Sequence, residues 1–201
     1  MNNTSRLWKV LGALLVVSFG ILLYFGREIY LAAPPMPTAV KTVTGQTLFT
    51  QADIETGRQV WQSIGGHQLG SIWGHGSYVA PDWSADWLHR EATGVLDTWA
   101  QRETGKRYAD LDAATQAALQ AKLVPEMRGN TYNPDTGGVT VSEDRAAAIA
   151  AAADHYQRLF SDDPSLDTLR AQYAIQPNPI PDAARRQAMT AFFFWSSWST
   201  V

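Results

Sequence analysis

The feature that most constrains this chain is an apolar run without charged residues near its start, at residues 10–26. A run of roughly 17 such residues is at the short end of what a helix needs to cross a membrane. Trp8 and Tyr30 flank it at positions suited to the two membrane interfaces, and Arg6 and Lys9 precede it. The positive-inside rule therefore predicts a cytoplasmic N-terminus, with the following residues on the outer side.

A cleaved secretory signal is the alternative interpretation of this run, because residues 31–33 (LAA) offer small side chains at a plausible cleavage site. The run is longer than the apolar core of ~7–15 residues in an ordinary signal, and Arg27 and Glu28 interrupt the approach to that site. The sequence therefore favours an uncleaved, single-pass anchor over residues 1–33, ended by the prolines that begin at Pro34.

The composition of the remaining chain is that of a folded domain held by its own core. The sequence has no cysteine, which excludes a disulfide framework, and 45% of its residues are hydrophobic. A formal charge of −3 without a basic cluster predicts no nucleic-acid partner. Neither a phosphate-binding loop nor a nucleophile elbow occurs.

An unusual stretch at residues 57–91 contains three of the four histidines and four of the eight tryptophans. Within it, residues 63–67 read S-I-G-G-H, the spacing of the C-x-x-C-H motif for covalent haem attachment. Covalent attachment needs two thiols, which Ser63 and Gly66 do not supply, although His67 remains. The motif indicates a cytochrome c-like site that has lost its haem; a loop-rich corner of a protein core is the alternative.

Three neighbouring runs extend this motif: residues 57–61 (GRQVW), 70–78 (GSIWGHGSY) and 80–91 (APDWSADWLHRE). Together they resemble the N-terminal part of quinol-dependent nitric oxide reductases, in which a cytochrome c-like domain without haem precedes the catalytic membrane region. The similarity extends over essentially all 201 residues. It implies a mainly α fold, with one N-terminal transmembrane helix followed by a cytochrome c-like helical exported domain without haem.

The resemblance also implies a division of the chain and a location. Residues 1–33 form the anchor, residues 34–181 the periplasmic or extracytoplasmic domain, and residues 182–201 an aromatic helix leading toward membrane helices. The protein is expected in the inner (cytoplasmic) membrane. The final aromatic run, residues 192–195 (FFFW), is expected to be exposed, as at the end of a truncated chain.

The function implied by the resemblance is the reduction of two NO molecules to N2O, as in denitrification, with quinol as electron donor. The family's catalytic groups, haem b, haem b3 and a non-haem iron, are bound by later membrane helices. This segment alone is therefore expected to be inactive, with no catalytic or cofactor-binding residue of its own. Its expected partners are membrane lipid and the rest of the same polypeptide, with quinol and NO acting on the whole enzyme.

Gly76 and Tyr78 are the candidate metal residues. In the related reductases a Gly-x-Tyr after the haem motif contributes to a calcium site, and these two positions match it; calcium accepts such oxygen donors. Tyr78 as a core aromatic residue is the alternative. A zinc site at His67, His75 and His89 is disfavoured, because the three lie on different predicted elements.

Local signals predict the elements of the domain. We expect a hairpin through residues 44–45, a second turn or hairpin at residues 132–141, and surface positions for the Asp86–Arg90 pair. His155 is expected at the surface or satisfied in the core. Predicted helices begin at the N-caps Asp53, Asp82, Ser142 and Asp182 and near residues 111–112 and 165, with Leu119, Leu123 and Val124 inward on the fourth from the anchor.

Two other functions remain open from the sequence. The chain could be a complete, membrane-anchored exported module that binds a partner through its aromatic face, with no enzymatic role. It could also bind haem non-covalently through His67 and His75.

Overall fold

The computed structural model describes residues 3–74 and 76–201, in two compact units, Met1–Pro35 and Met36–Val201. In the first unit, helix α1 (Asn3–Leu31) contains a stretch, Thr4–Leu31, long and apolar enough to cross a membrane. Its side chains are exposed within the unit, as a lipid-facing helix requires. The helix extends the predicted run by more than a turn and suggests a membrane anchor.

The second unit is a helical domain with a small sheet. Its helices are α2 (Gln51–Ser63), α3 (Trp83–Thr104), α4 (Ala113–Arg128), α5 (Glu143–Leu159), α6 (Asp167–Gln172) and α7 (Ala183–Trp198), and short 3₁₀ turns lie at Gly66–Gln68, Tyr108–Asp110 and Pro164–Leu166. The mainly α fold with one apolar N-terminal helix is therefore confirmed. Helix α7 lies at the centre, because α2, α3 and α5 all pack against it.

The sheet contains β1 (Ala39–Thr42), β2 (Thr47–Thr50), β3 (Tyr132–Asn133) and β4 (Gly138–Val141), in the order β2-β1-β4-β3. Both predicted hairpins are present as antiparallel pairs. The pairing between them was not predicted: β1 and β4 run parallel, with Val40 opposite Val139. Both valines are buried, so the sheet joins the two ends of the domain sequence over the helical core.

Helix starts follow the predicted caps with one correction. Asp82, Asp112, Ser142 and Asp182 each accept a backbone hydrogen bond at the start of α3, α4, α5 and α7. Helix α2 begins earlier than predicted, because its N-cap is Thr50. Thr50 Oγ1 accepts from Asp53 N, and Asp53 Oδ2 accepts from Thr50 N at 2.8 Å, which is a reciprocal capping box.

The expected exposure of residues 192–195 is wrong. Phe193 and Phe194 are fully buried, and Phe192 and Trp195 nearly so. Their rings fill the space between α2, α3 and α5, where Phe193 stacks on Trp83 with ring centroids 5.8 Å apart. Helix α7 thus provides the aromatic core of the unit Met36–Val201. Whether the chain leads on from it to membrane helices stays a prediction.

Helix α4 also differs from expectation on one side. Leu119 is buried and Leu123 half-buried, as predicted, but Val124 is 53% exposed and Met127 takes the inward position. Pro125 neither ends the helix nor prevents a further turn, since α4 continues to Arg128. This helix packs mainly on α3 and contributes little to the central core.

Candidate functional site

The remnant of the haem motif lies at the end of α2 and is covered by protein side chains. Gly65 ends the helix with a left-handed backbone (φ 82°) and turns the chain into the 3₁₀ turn that carries His67. The indole of Trp61 lies directly on Gly66, so that an added Cβ there would stand 2.6 Å from ring atoms. The exposed imidazole of His67 meets the same indole edge-on, with ring centroids 4.6 Å apart.

Both positions that would carry haem thiols are used for protein contacts. The hydroxyl of Ser63 donates to the carbonyl of Val60 at 2.7 Å and accepts from the guanidinium of Arg185 on α7 at 2.8 Å. Gly66 has no room for a cysteine side chain beneath Trp61. The residues therefore do not fit a covalently bound haem, in chemistry or in space.

The loop between this motif and α3 is organised by the carboxylate of Asp82. Oδ2 accepts from the hydroxyl of Ser71 at 2.6 Å and from the backbone N–H of Gly74 at 2.7 Å. Oδ1 accepts from the hydroxyl of Ser84 at 2.5 Å and from the backbone N–H of Ala85 at 3.0 Å. Burial opposes ionisation, but these hydrogen bonds outweigh it and hold the pKa of Asp82 below its usual value.

Gly76 and Tyr78 lie on the outer part of this loop. Gly76 has a left-handed backbone (φ 78°), and its N–H donates to the hydroxyl of Ser71 at 2.8 Å. Tyr78 is fully exposed, so the alternative that it is a core residue is wrong. No group of three or more His, Cys, Asp or Glu side chains in the described part of the chain could hold a metal. A calcium ion at Gly76 and Tyr78 would need ligands from elsewhere, and this site stays a prediction.

Trp73 is a loop residue that the sequence motifs did not single out. It has a left-handed backbone (φ 52°), which is uncommon for a large side chain. Its indole N–H donates to the carbonyl of Ser196 on α7 at 2.7 Å, and its ring meets Trp195 at 5.2 Å. Half of the side chain is still exposed. The loop therefore presents Trp73 and Tyr78 from a fixed base, and the glycines bracketing Trp73 were the available signal.

Comparison with protein families agrees with this geometry. Residues 37–201 match the model of the NorB cytochrome c-like family, which describes the cytochrome c-like domain of nitric oxide reductase. The chain belongs to this family. The match covers almost the whole second unit and begins one residue after Met36, where that unit starts. No curated protein matches the chain. The association with nitric oxide reductase, a membrane-associated family, is thereby established, and the helical unit is its cytochrome c-like domain.

Within the cytochrome c-like domain, the remaining histidines do not form a metal centre. His89 and His155 line an open groove of about 320 Å³ between α3 and α5. The expectation that His155 lies at the surface or is satisfied in the core is wrong, because its Nε2 is buried without a partner among the described residues. Burial, with Arg90 nearby, lowers the pKa of His155 to about 4. His75 lies outside the described residues.

The Asp86–Arg90 pair beside this groove is more enclosed than predicted. Arg90 Nε donates to Asp86 Oδ2 at 2.8 Å, with side chains 30% and 18% exposed, and the hydroxyl of Tyr156 donates to the same oxygen at 2.5 Å. The expected solvated pair is therefore part of a network that joins α3 to α5.

A second network joining α3 to α5 is fully buried. Arg145 Nε donates to Glu91 Oε1 at 2.5 Å, and the indole N–H of Trp87 donates to Glu91 Oε2 at 2.9 Å. Burial raises the pKa of Glu91, and Arg145 and Trp87 oppose that rise. Because both charges are almost completely inaccessible to water, removing either one leaves the other unpaired.

Proposed function

We propose that the chain is the N-terminal anchor and structural cap of a quinol-dependent nitric oxide reductase, which reduces two NO molecules to N2O. The cytochrome c-like domain would lie on the periplasmic side, over a catalytic membrane region formed by the rest of the polypeptide. Haem b, haem b3 and the non-haem iron would be bound there. Family membership and the apolar helix Thr4–Leu31 support this assignment.

The observation that carries the proposal is the loss of the haem site within an otherwise intact domain. Ser63 and Gly66 replace the two cysteines, and Trp61 covers the backbone between them and His67. A domain that cannot hold haem c cannot relay electrons from a soluble donor. Electrons taken from quinol within the membrane have no need of that relay, so the domain keeps a structural role.

The loop bearing Trp73 and Tyr78 is the proposed contact with the catalytic region. An aromatic side chain exposed on a loop that is fixed at its base contributes binding energy at low conformational cost. The base here is the set of hydrogen bonds to Asp82. Gly76 and Tyr78 would also meet a calcium ion there, with its other ligands supplied by the catalytic region.

The test compares the uninterrupted reading frame that contains this chain with the chain alone, each in membranes. NO consumption is followed with an electrode after addition of a reduced quinol analogue, and N2O is measured in the gas phase. We expect NO loss and N2O only from the uninterrupted frame. Activity of the isolated chain, or a stop directly after Val201 in the gene, would contradict the proposal and favour an exported binding module.

A variant pair tests the proposed contact. Tyr78→Ala in the whole enzyme should lower turnover with quinol and weaken calcium retention, measured by metal analysis. Val124→Ala is the matched control, because Val124 is also an exposed apolar residue but lies on α4. Equal activity of the two variants would remove the loop from the proposal.

A further inference from the structure

The core of the cytochrome c-like domain contains a stacked pair of oxidisable rings. Trp87 on α3 and Tyr156 on α5 are both fully buried, with ring centroids 5.4 Å apart and an angle of 6° between their planes. Trp83 meets the edge of Tyr156 at 6.0 Å, and Tyr173 lies 5.9 Å from Trp83. Tyr173 is partly exposed, so the row of rings connects the buried pair with the surface.

Each ring of the pair has a carboxylate at the atom that would lose a proton upon oxidation. The hydroxyl of Tyr156 donates to Asp86 at 2.5 Å, and the indole N–H of Trp87 donates to Glu91 at 2.9 Å. Loss of an electron makes a phenol or an indole strongly acidic, and its proton moves readily only to a base within hydrogen-bond reach. Both bases belong to α3, and an arginine partner holds each in place.

Packing alone does not account for these partners. Trp83 is as deeply buried as Trp87, yet its indole N–H has no hydrogen-bond partner among the described residues. The same is true of Trp61. A core tryptophan in this domain is therefore stable without a carboxylate, whereas burying a carboxylate beside Trp87 costs free energy that the Arg145 contact must offset.

The charge around Tyr156 favours electron loss that is coupled to proton loss. The guanidinium carbon of Arg90 lies 5.8 Å from the centre of the Tyr156 ring, which opposes any build-up of positive charge on it. Burial, with the charge of Asp86, raises the pKa of Tyr156 well above its usual value. The phenol thus keeps its proton at neutral pH and releases it to Asp86 when an electron leaves.

We propose that Tyr156, stacked on Trp87, is a redox-active tyrosine that accepts oxidising equivalents reaching the domain at Tyr173. The oxidant class is a one-electron radical oxidant such as nitrogen dioxide, which forms from NO and dioxygen. One electron passes from Tyr156 through Trp83 and Tyr173 to nitrogen dioxide, giving nitrite. The O–H bond of Tyr156 breaks, its proton goes to the carboxylate of Asp86, and a neutral tyrosyl radical and a carboxylic acid remain. The activity is separate from the proposed structural role.

Electron paramagnetic resonance on the whole 201-residue chain in detergent tests this assignment. The oxidant is photogenerated tris(bipyridine)ruthenium(III), and samples are frozen at increasing delays. We expect a neutral tyrosyl signal that persists after radicals on exposed rings have decayed. In Tyr156→Phe, which keeps the ring, the late signal should fall at least about tenfold, and Asp86→Asn should lower its yield by a similar factor because an amide is a poor proton acceptor.

Controls separate this role from ordinary core packing. Tyr132→Phe, on β3, should leave the late signal unchanged, and Tyr173→Phe should slow its appearance. Formation in wild type should be slower in D2O, which remains a test if a variant fails to fold. A late signal that survives in Tyr156→Phe, or one whose yield and solvent isotope dependence ignore Asp86, would overturn the assignment.

Discussion

The crossing of α2 and α7 at Gly57 gives the sharpest stability prediction. Gly57 lies in the middle of α2, where α7 passes so closely that an added Cβ would stand 2.0 Å from the carbonyl oxygen of Ala188. It would also stand 2.9 Å from Cβ of Phe192. Both obstacles are fixed by the backbone, so no rotamer change can make room. Gly57→Ala must therefore move one helix relative to the other.

The size of the effect follows from two opposing contributions. Replacing glycine by alanine inside a helix gains about 1 kcal/mol of intrinsic helix stability. Non-bonded heavy atoms rest roughly 3.5 Å apart, so α7 would have to retreat by more than about 1 Å. That retreat loosens the contact of Trp61 with Phe192, now at 5.6 Å, and overpacking of this kind costs about 1–3 kcal/mol or more. Lost aromatic packing adds to this, and we expect a net destabilisation of about 2–4 kcal/mol.

Urea unfolding followed by tryptophan fluorescence measures the difference, with Gly94→Ala as the matched control. Gly94 is also inside a helix, but its nearest obstacle is the Cβ of Ala148 at 3.0 Å, which a small shift relieves. The control gains the same helix propensity and should stay within about 1 kcal/mol of wild type. Equal unfolding midpoints for the two variants, or a more stable Gly57→Ala, would refute the reasoning.

Further predictions concern the charged and capping residues. Arg145→Met should lower the free energy of unfolding by about 3–5 kcal/mol, because Glu91 is left buried without its partner, and adding Glu91→Gln should recover part of this in the same urea assay. His155 has a folded pKa of about 4 against 6.5 in the unfolded chain, so stability should fall by about 1–2 kcal/mol as pH drops from 6.5 to 4, allowing for solvent screening; His155→Leu should flatten that slope in a pH series. Thr50→Ala should cost about 1 kcal/mol of thermal stability through loss of the capping box, measured by calorimetry. Asp82→Ala should increase proteolysis of the loop before α3, measured by limited digestion, while the helical circular dichroism stays unchanged.

Features that depend on neighbouring residues in the chain were readable from the sequence. The hairpin at Gly45, the end of α3 at Gly105 and the cap at Asp82 each follow from one or two side chains acting on the adjacent backbone. Where two such signals compete, the nearer one was misjudged: Asp53 is a good cap on its own, but its reciprocal bonds with Thr50 move the start of α2 back by three residues.

The absence of cysteine determined by itself that no haem can be attached covalently, since thioether chemistry has no substitute for sulfur. The apolar run likewise determined a membrane-length helix, because length and hydropathy are local properties. Only the tertiary structure decided that Phe193 is core rather than contact surface, and that Trp61 covers the backbone at Gly66, where a haem thiol would stand. Burial depends on which distant segments pack together, and an aromatic run has the same sequence whether it faces a partner or its own helices.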